Sequence, residues 1–361
     1  MTEQRIPERS CDATPALPDV VELASAATPL ELEHDGDPIS LAAVLSEAYA
    51  MLAPGATIRV LLPARAEWAG RTARYRDRLT AAFFAAGFEK TLVTARVEGS
   101  VEVCATRSAL APPADRRQIL SVVMPIYNER ATLGAAITRV LDKEIPGVDI
   151  ELVIVESNST DGSRAEVLTY KGHPRVHIVL EEQPAGKGHA VRAGLAAAHG
   201  DYVLIQDADL EYDVDDYDAL LAPLRDLSAG FVLGYRRRSD GARWGVRHFE
   251  TQVLVGRLMN IGNIVFLCLF NAVYGSRLRD PFTMYKVFRR DCLAGMRLEC
   301  NRFDFDWELT GKLLRAGYRP IEVPVHYQSR SFAEGKKVSV LADPLSWVVA
   351  CFKYRFSPLY D

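Results

Sequence analysis

Short, mostly apolar runs alternate with longer stretches of helical spacing from about residue 118 onward. Ile119 to Met124, Ile150 to Val155, Val176 to Leu180 and Asp201 to Gln206, the last built around Tyr202 to Ile205, read as strands. Runs this rich in apolar residues, Ile119 to Met124 above all, fit strands buried on both faces, as in a parallel sheet. Helical patterns separate them: Thr132 to Leu141, a segment opened by Ser159-Thr160-Asp161-Gly162-Ser163, and Gly186 to His199. The Ser-Thr-Asp-Gly-Ser group is good helix-start chemistry, because its side-chain oxygens accept from unpaired first-turn N–H groups. Strand alternating with helix predicts an α/β fold with a mostly parallel sheet and helices on both faces.

Upstream, Ser40 to Leu52 reads as a helix closed by Pro54-Gly55, Thr57 to Pro63 as a strand, and Tyr75 to Ala86 as a helix ending at Gly87. Thr91 to Thr94 and Val101 to Cys104 read as strands joined by Glu98-Gly99. Residues 1–35 are rich in Pro, Ala and acids without periodicity, and are expected to form a mobile arm. The expected organisation is an arm (1–35), a small α/β module (36–108), a linker around Pro112-Pro113 (109–117) and a larger α/β domain (118–361). Downstream, Phe231 to Leu233 and Ile321 to Tyr327 read as strands, and Phe303 to Ala316 carries a helix. Val253 to Tyr274 is mostly apolar but contains Arg257, Asn260, Asn263 and Asn271, which are costly at a bilayer centre. It reads as an amphipathic helix, packed on the core or lying on a membrane surface. Ser346 to Phe356 mixes aromatics with Lys353 and Arg355 and allows the same two readings.

Composition narrows the classes. With 361 residues, 48% hydrophobic and 25% charged, the chain can bury one large or two modest cores. A formal net charge of −4 argues against non-specific nucleic-acid binding. Six scattered cysteines with no C-x-x-C fit reduced thiols and a cytoplasmic setting. Met1 to Ser10 is polar with no apolar run behind it, so no signal peptide is expected.

The candidate chemistry gathers where strands end. Tyr202 to Ile205 stops at Asp207, Asp209 and Glu211. Extended backbone turns alternate side chains the same way, so these carboxylates are expected to converge. Hard oxygen ligands suit Mg²⁺ or Mn²⁺. The ordinary alternative is a solvated acidic loop, supported by Asp213, Asp215, Asp216 and Asp218 downstream. Other strand ends carry Tyr127 and Glu129, then Glu156, with Lys187 nearby, and ligands of parallel sheets sit beyond such ends.

Two family resemblances follow. "EAYAMLAPGATIRVLLP" and "AAFFAAGFEKTLV" resemble the C-terminal half of class I SAM-dependent methyltransferases. That family's Gly-rich cofactor turn has no counterpart here, which implies a degenerate remnant used for packing or interaction. "VVMPIYNERATL", "VIVESNSTDGS", "AGKGHAVRAGL" and "YVLIQDADLEYD", in that order, resemble the motifs of family 2 glycosyltransferases of the GT-A fold, nearest the polyprenyl-phosphate subgroup.

The second resemblance implies a Rossmann-like GT-A domain that transfers a sugar from a nucleotide-diphosphate donor, with inversion and a divalent cation. It implies that Pro125, Tyr127 and Glu129 line the nucleoside site, that Glu156 serves base or ribose recognition, and that Lys187 lies near the donor. Asp207 would meet ribose or metal, Asp209 the metal, and Glu211 would complete the shell. Arg236 would stand near the donor phosphates, Asp280 would shape the sugar site, and Asp306 would sit at the general-base position. Arg330 and Lys336 match basic positions of a phosphate-holding loop. The ordinary alternatives are a solvated Lys187, solvated Arg237 and Arg238, and a dipole role for Asp304 or Asp306. The implied acceptor is a polyprenyl phosphate, met peripherally at the inner membrane face. A soluble hydroxyl acceptor with Asp306 as base is the runner-up, and a non-catalytic nucleotide-binding scaffold is the alternative outside enzymes. A nucleotidyltransferase is disfavoured because Pro125-Ile126-Tyr127-Asn128-Glu129 stands where its Gly-rich basic loop would be.

Overall fold

A computed structural model describes residues 30–33, 38–62, 72–95, 101–112, 115–237, 253–329 and 343–360. The first module contains β1 (Leu30–Glu33), α1 (Pro38–Met51), β2 (Thr57–Leu62), α2 (Thr72–Ala85), β3 (Phe88–Ala95) and β4 (Val101–Arg107). Its sheet has the order β1-β2-β4-β3, with β1 parallel to β2 and β4 antiparallel to both β2 and β3. Every second residue of β2 is buried, and Ile58, Val60 and Leu62 join Leu41, Leu45, Phe83 and Val103 in one core. The expected arm is therefore shorter than 1–35: residues 30–33 pair with β2, because an edge strand needs only main-chain hydrogen bonds and no periodic pattern. The rest of the arm lies outside the described residues.

The second domain runs β5 (Gln118–Ile126), α3 (Leu133–Asp142), β6 (Val148–Glu156), α4 (Ser163–Leu168), β7 (Val176–Leu180), α5 (Lys187–Ala197), β8 (Tyr202–Ile205), α6 (Tyr217–Arg225), β9 (Phe231–Arg237), α7 (Val253–Tyr274), β10 (Lys286–Arg289), α8 (Phe305–Arg315), β11 (Ile321–His326) and α9 (Asp343–Phe356). The sheet order is β11-β9-β10-β8-β5-β6-β7, and β10 alone runs against its neighbours. The mostly parallel α/β architecture agrees with the expectation. From β5 the chain steps outward to β6 and β7, then returns to place β8 on the other side of β5. Right-handed crossovers put helices on opposite faces when the stepping direction reverses, and the reversal opens a crevice at the carboxyl ends of β5 and β8.

The two modules are joined by buried contacts. Arg289, fully buried, donates to Thr80 Oγ1 at 2.9 Å and lies 5.4 Å from the Phe84 ring, which in turn meets Tyr202. Arg116 in the linker forks onto Asp201 at 2.5 and 2.8 Å, so the connection is clamped to the start of β8. None of the five described cysteines is in a disulfide. No described helix is long and apolar enough to cross a membrane.

Candidate active site

The β5 and β6 ends are zipped together. Asn128, with φ +52°, turns the chain so that its N–H donates to Ser159 Oγ while its own Oδ1 accepts from Thr160 N. Glu129 N donates to Ser163 Oγ at 3.0 Å, and Arg130 N to Asp161 Oδ2 at 3.0 Å. Pro125 is half-buried and Tyr127 is 40% exposed at this edge. Glu156 corrects an expectation. It is fully buried and accepts from Ser159 N at 2.7 Å and Asn158 N at 3.2 Å, with Arg164 3.3 Å away. Its side chain folds back into its own turn, so it builds the loop and presents nothing to a ligand.

The acidic end of β8 departs from simple alternation. The strand stops at Ile205, and Leu210 takes φ +61°, so backbone extension is lost between Asp209 and Glu211. Glu211 turns aside and accepts from Tyr327 Oη at 2.7 Å, pinning the end of β11. Asp207, Asp209 and Glu211 therefore do not converge as a triplet. Among the described residues, the one trio of His, Cys, Asp or Glu whose ligand atoms all lie within 4.8 Å is elsewhere.

What gathers instead is a chain of alternating charge. Lys187 Nζ donates to Asp207 Oδ2 at 2.7 Å. Burial alone would lower the Lys187 pKa, but Asp207, then Asp306 and Asp209, outweigh it and raise it above the ordinary lysine value. Asp306, in the first turn of α8, accepts from Lys286 Nζ at 2.6 Å, and Lys286 also donates to Thr283 O. Lys286 is fully buried, and that burial lowers its pKa, although Asp306 and Asp280 pull the other way. Four carboxylates, Asp207, Asp209, Asp306 and Asp280, stand with three cations, Lys187, Lys286 and Arg236.

Arg236 and Asp280 correct two further expectations at once. Arg236 forks onto Asp280 at 2.7 and 2.8 Å, its N–H donates to the same carboxylate, and its guanidinium lies over Tyr327. Burial would lower the Arg236 pKa, but Asp280 raises it well above the ordinary value. The arginine fork is already filled, so it is not offered to donor phosphates, and Asp280 is a buried brace. Arg330, Lys336 and Arg238 lie outside the described residues.

Local sequence explains the precision. Gly186, with φ +102°, and Gly188 pack against the backbone of Asn301 and Cys300, so that any Cβ would clash. This brings Lys187 to the start of α8 and Asp306. Gln206 was not singled out in the sequence, yet its amide donates to Asp207 O while its oxygen accepts from Tyr217 and Tyr285. Lys286 was also missed; its only signal is a lysine opening the otherwise apolar pair Val287-Phe288. Asp304, the rival of Asp306, is engaged by Tyr354 Oη and Cys300 Sγ.

Outside the crevice, α7 and α9 pack through Phe266 and Trp347, and each leaves apolar side chains exposed. On α7 these are Ile261, Ile264 and Val265; on α9 they are Val349, Phe352 and Phe356.

Residues 121–294, from inside β5 to just past β10, match the model of glycosyl transferase family 2. The chain is 30% identical over 222 residues to an undecaprenyl-phosphate 4-deoxy-4-formamido-L-arabinose transferase of Enterobacter sp. (strain 638), covering 60% of this chain and 62% of that one. It is 26% identical over 234 residues to a dolichyl-phosphate beta-glucosyltransferase of Trichomonas vaginalis, covering 61% and 68%. A solved mannosyl-3-phosphoglycerate synthase from Rubrobacter xylanophilus superposes with TM-score 0.49 at 20% identity, covering 66% and 73%. Residues 121–294, most of the domain that begins at β5, form a family 2 glycosyltransferase domain.

Proposed function

We propose that this domain moves a sugar from a nucleoside-diphosphate donor to a polyprenyl phosphate, with inversion. The observation that carries the reading is the carboxylate-rich charge chain at the carboxyl ends of β5 and β8, bounded by the zipped β5–β6 loops. The donor set fits Mg²⁺ or Mn²⁺: Asp207 and Asp209 are partly exposed hard-oxygen groups, and an ammonium already sits on Asp207. Asp209, with Asp207, would hold the ion, which would neutralise charge on the departing diphosphate. Pro125, Tyr127 and Glu129 would take the nucleoside. Lys187 lies between Asp207 and Asp306 and would keep the diphosphate end oriented. Arg330 and Lys336 are assigned to phosphate from the sequence resemblance.

In the transfer itself an acceptor oxygen forms a bond to the anomeric carbon while the bond from that carbon to the diphosphate oxygen breaks. A hydroxyl acceptor must give up a proton in this step, whereas a phosphate oxygen is already anionic. On the general-base reading Asp306 would take that proton, but protonating it would break its 2.6 Å pair with Lys286. That favours the phosphate acceptor. The exposed stripes of α7 and α9 suit a peripheral contact with a membrane surface, where such an acceptor resides. Two relatives named for undecaprenyl and dolichyl phosphates support the same reading.

The test is transfer of labelled sugar from a nucleotide-sugar panel to polyprenyl phosphate and to soluble hydroxyl acceptors, for the wild type and Asp306→Asn. The reading predicts labelled lipid, with the variant within about tenfold of wild type, below the usual contribution of a general base. Transfer only to hydroxyl acceptors, abolished in Asp306→Asn, would overturn the phosphate assignment in favour of the base mechanism.

A further inference from the structure

A second cluster lies at the opposite, amino end of the same sheet. Glu151 is in the first half of β6, His177 in the first half of β7, and His199 in the turn between α5 and β8. Glu151 Oε2 lies 3.6 Å from His177 Nε2 and 3.8 Å from His199 Nδ1, and all three ligand atoms are within 4.8 Å of one another. The imidazole centroids are 5.4 Å apart with planes tilted by 49°, so the rings do not stack.

The two oxygens of Glu151 do different things. Oε1 accepts from Ser121 Oγ, from His199 N at 2.7 Å and from Gly200 N at 3.1 Å. Oε2 faces the two imidazoles. One oxygen fixed by donors and the other aimed at a shared point is how carboxylate ligands of metals are oriented. The carboxylate is mostly buried, at 12% exposure, and the two imidazoles are open to solvent. Tetrahedral zinc with metal–ligand bonds of about 2.0–2.1 Å sets its ligand atoms about 3.3 Å apart. The two separations from Glu151 exceed that by a few tenths of an ångström and the third is within 4.8 Å, a gap that rotation of the exposed rings can close.

We propose that Glu151, His177 and His199 bind a borderline divalent transition-metal ion of the Zn²⁺ class, with its fourth position open to water. Two imidazoles and one carboxylate favour such an ion over the Mg²⁺ or Mn²⁺ suited to an all-oxygen set. The site is distinct from the sugar-transfer crevice: β6 separates Glu151 from Glu156 by about 16 Å of extended chain. An ion there ties β6, β7 and the α5–β8 turn together at the end where the linker clamps Asp201. Its effect falls on stability, and it does not rest on the transferase reading.

The experiment is thermal unfolding of the full chain with and without ZnCl₂ in excess Mg²⁺, followed by Co²⁺ titration read by visible absorption. Wild type is expected to gain at least about 2 °C in Tm with Zn²⁺, because an ion that binds the native state shifts unfolding. It is expected to show the Co²⁺ band of a four-coordinate site. His177→Ala and His199→Ala should lose both responses and keep a metal-free Tm within about 1 °C of wild type, as exposed side chains allow. Asp209→Asn should keep both responses. A wild type without Zn²⁺ response would overturn the proposal. So would equal responses in both histidine variants, or a response lost in Asp209→Asn.

Discussion

Asp207 and Asp209 leave β8 only a few residues before Asp213, Asp215, Asp216 and Asp218, yet the two groups have opposite surroundings. The downstream acids are tied to fixed partners from other elements. Asp213 accepts from Arg139 at 2.6 Å, Lys143 bridges Asp218 at 2.8 Å and Asp215 at 3.3 Å, and Asp216 accepts from His326 N and faces its ring. They fasten the turn before α6 to α3 and β11. Asp207 and Asp209 instead share the field of Lys187 with Asp306, and among the described residues here, with Asp280, Lys286 and Arg236, the carboxylates outnumber the cations by one. A carboxylate whose charge is matched by side chains on packed elements is scaffold. One that stands with other carboxylates around a shared ammonium can accept a further cation or yield to a phosphate.

The contrast predicts effects in order of size. Asp209→Asn should cut sugar transfer by about a hundredfold to a thousandfold, the range for losing one group that stabilises developing charge. Its Tm should stay within about 1 °C. Asp218→Asn should leave transfer within about twofold, because it removes only one of the two carboxylates that Lys143 bridges at the surface. Equal loss in the two variants, measured as kcat/KM, would dissolve the distinction. Glu156→Gln should lower unfolding free energy by about 1–3 kcal/mol in urea titrations, because a buried acceptor of two N–H groups loses its charge. Donor KM should rise far less than a lost direct contact would require. The smallest effect concerns His326, whose pKa is raised by its hydrogen bond and charge pairing with Asp216. A raised folded-state value means this pair adds stability below the ordinary histidine pKa of about 6.5 and loses it as pH rises through the folded value. His326→Gln should flatten that slope by about 1 °C of Tm between acidic and mildly alkaline buffers, since the ring is largely exposed.

Much of the fold was legible because apolar runs mark the parallel strands. The predicted helix from Val253 to Tyr274 coincides with α7, and β5 to β8 fall where the runs do. β10 was illegible because Lys286 and Arg289 are buried charges, and their partners, Asp306 and Asp291 among them, make burial tolerable. β1 was hidden because it docks at an edge, and α6 because its acidic lead-in resembles a loop. At the site, the sequence placed Asp207, Asp209, Lys187 and Asp306 among its candidates, and the structure gathers those four. It misplaced Glu211 because the period-two argument holds only while the backbone stays extended, and Leu210 ends that. Glu156, Asp280 and Arg236 were misjudged for a shared reason: a charged residue at a strand end looks the same in sequence whether its partner is a ligand or a neighbouring amide or guanidinium.

The measurement that bears most directly on the central claim is calorimetric binding of a panel of nucleoside diphosphates, with and without Mn²⁺, to the wild type and Asp209→Asn. The account predicts that at least one of them binds in a Mn²⁺-dependent way and that Asp209→Asn weakens this binding at least about tenfold, or about 1.4 kcal/mol. Binding of equal strength with or without the ion, and unchanged in Asp209→Asn, would contradict it.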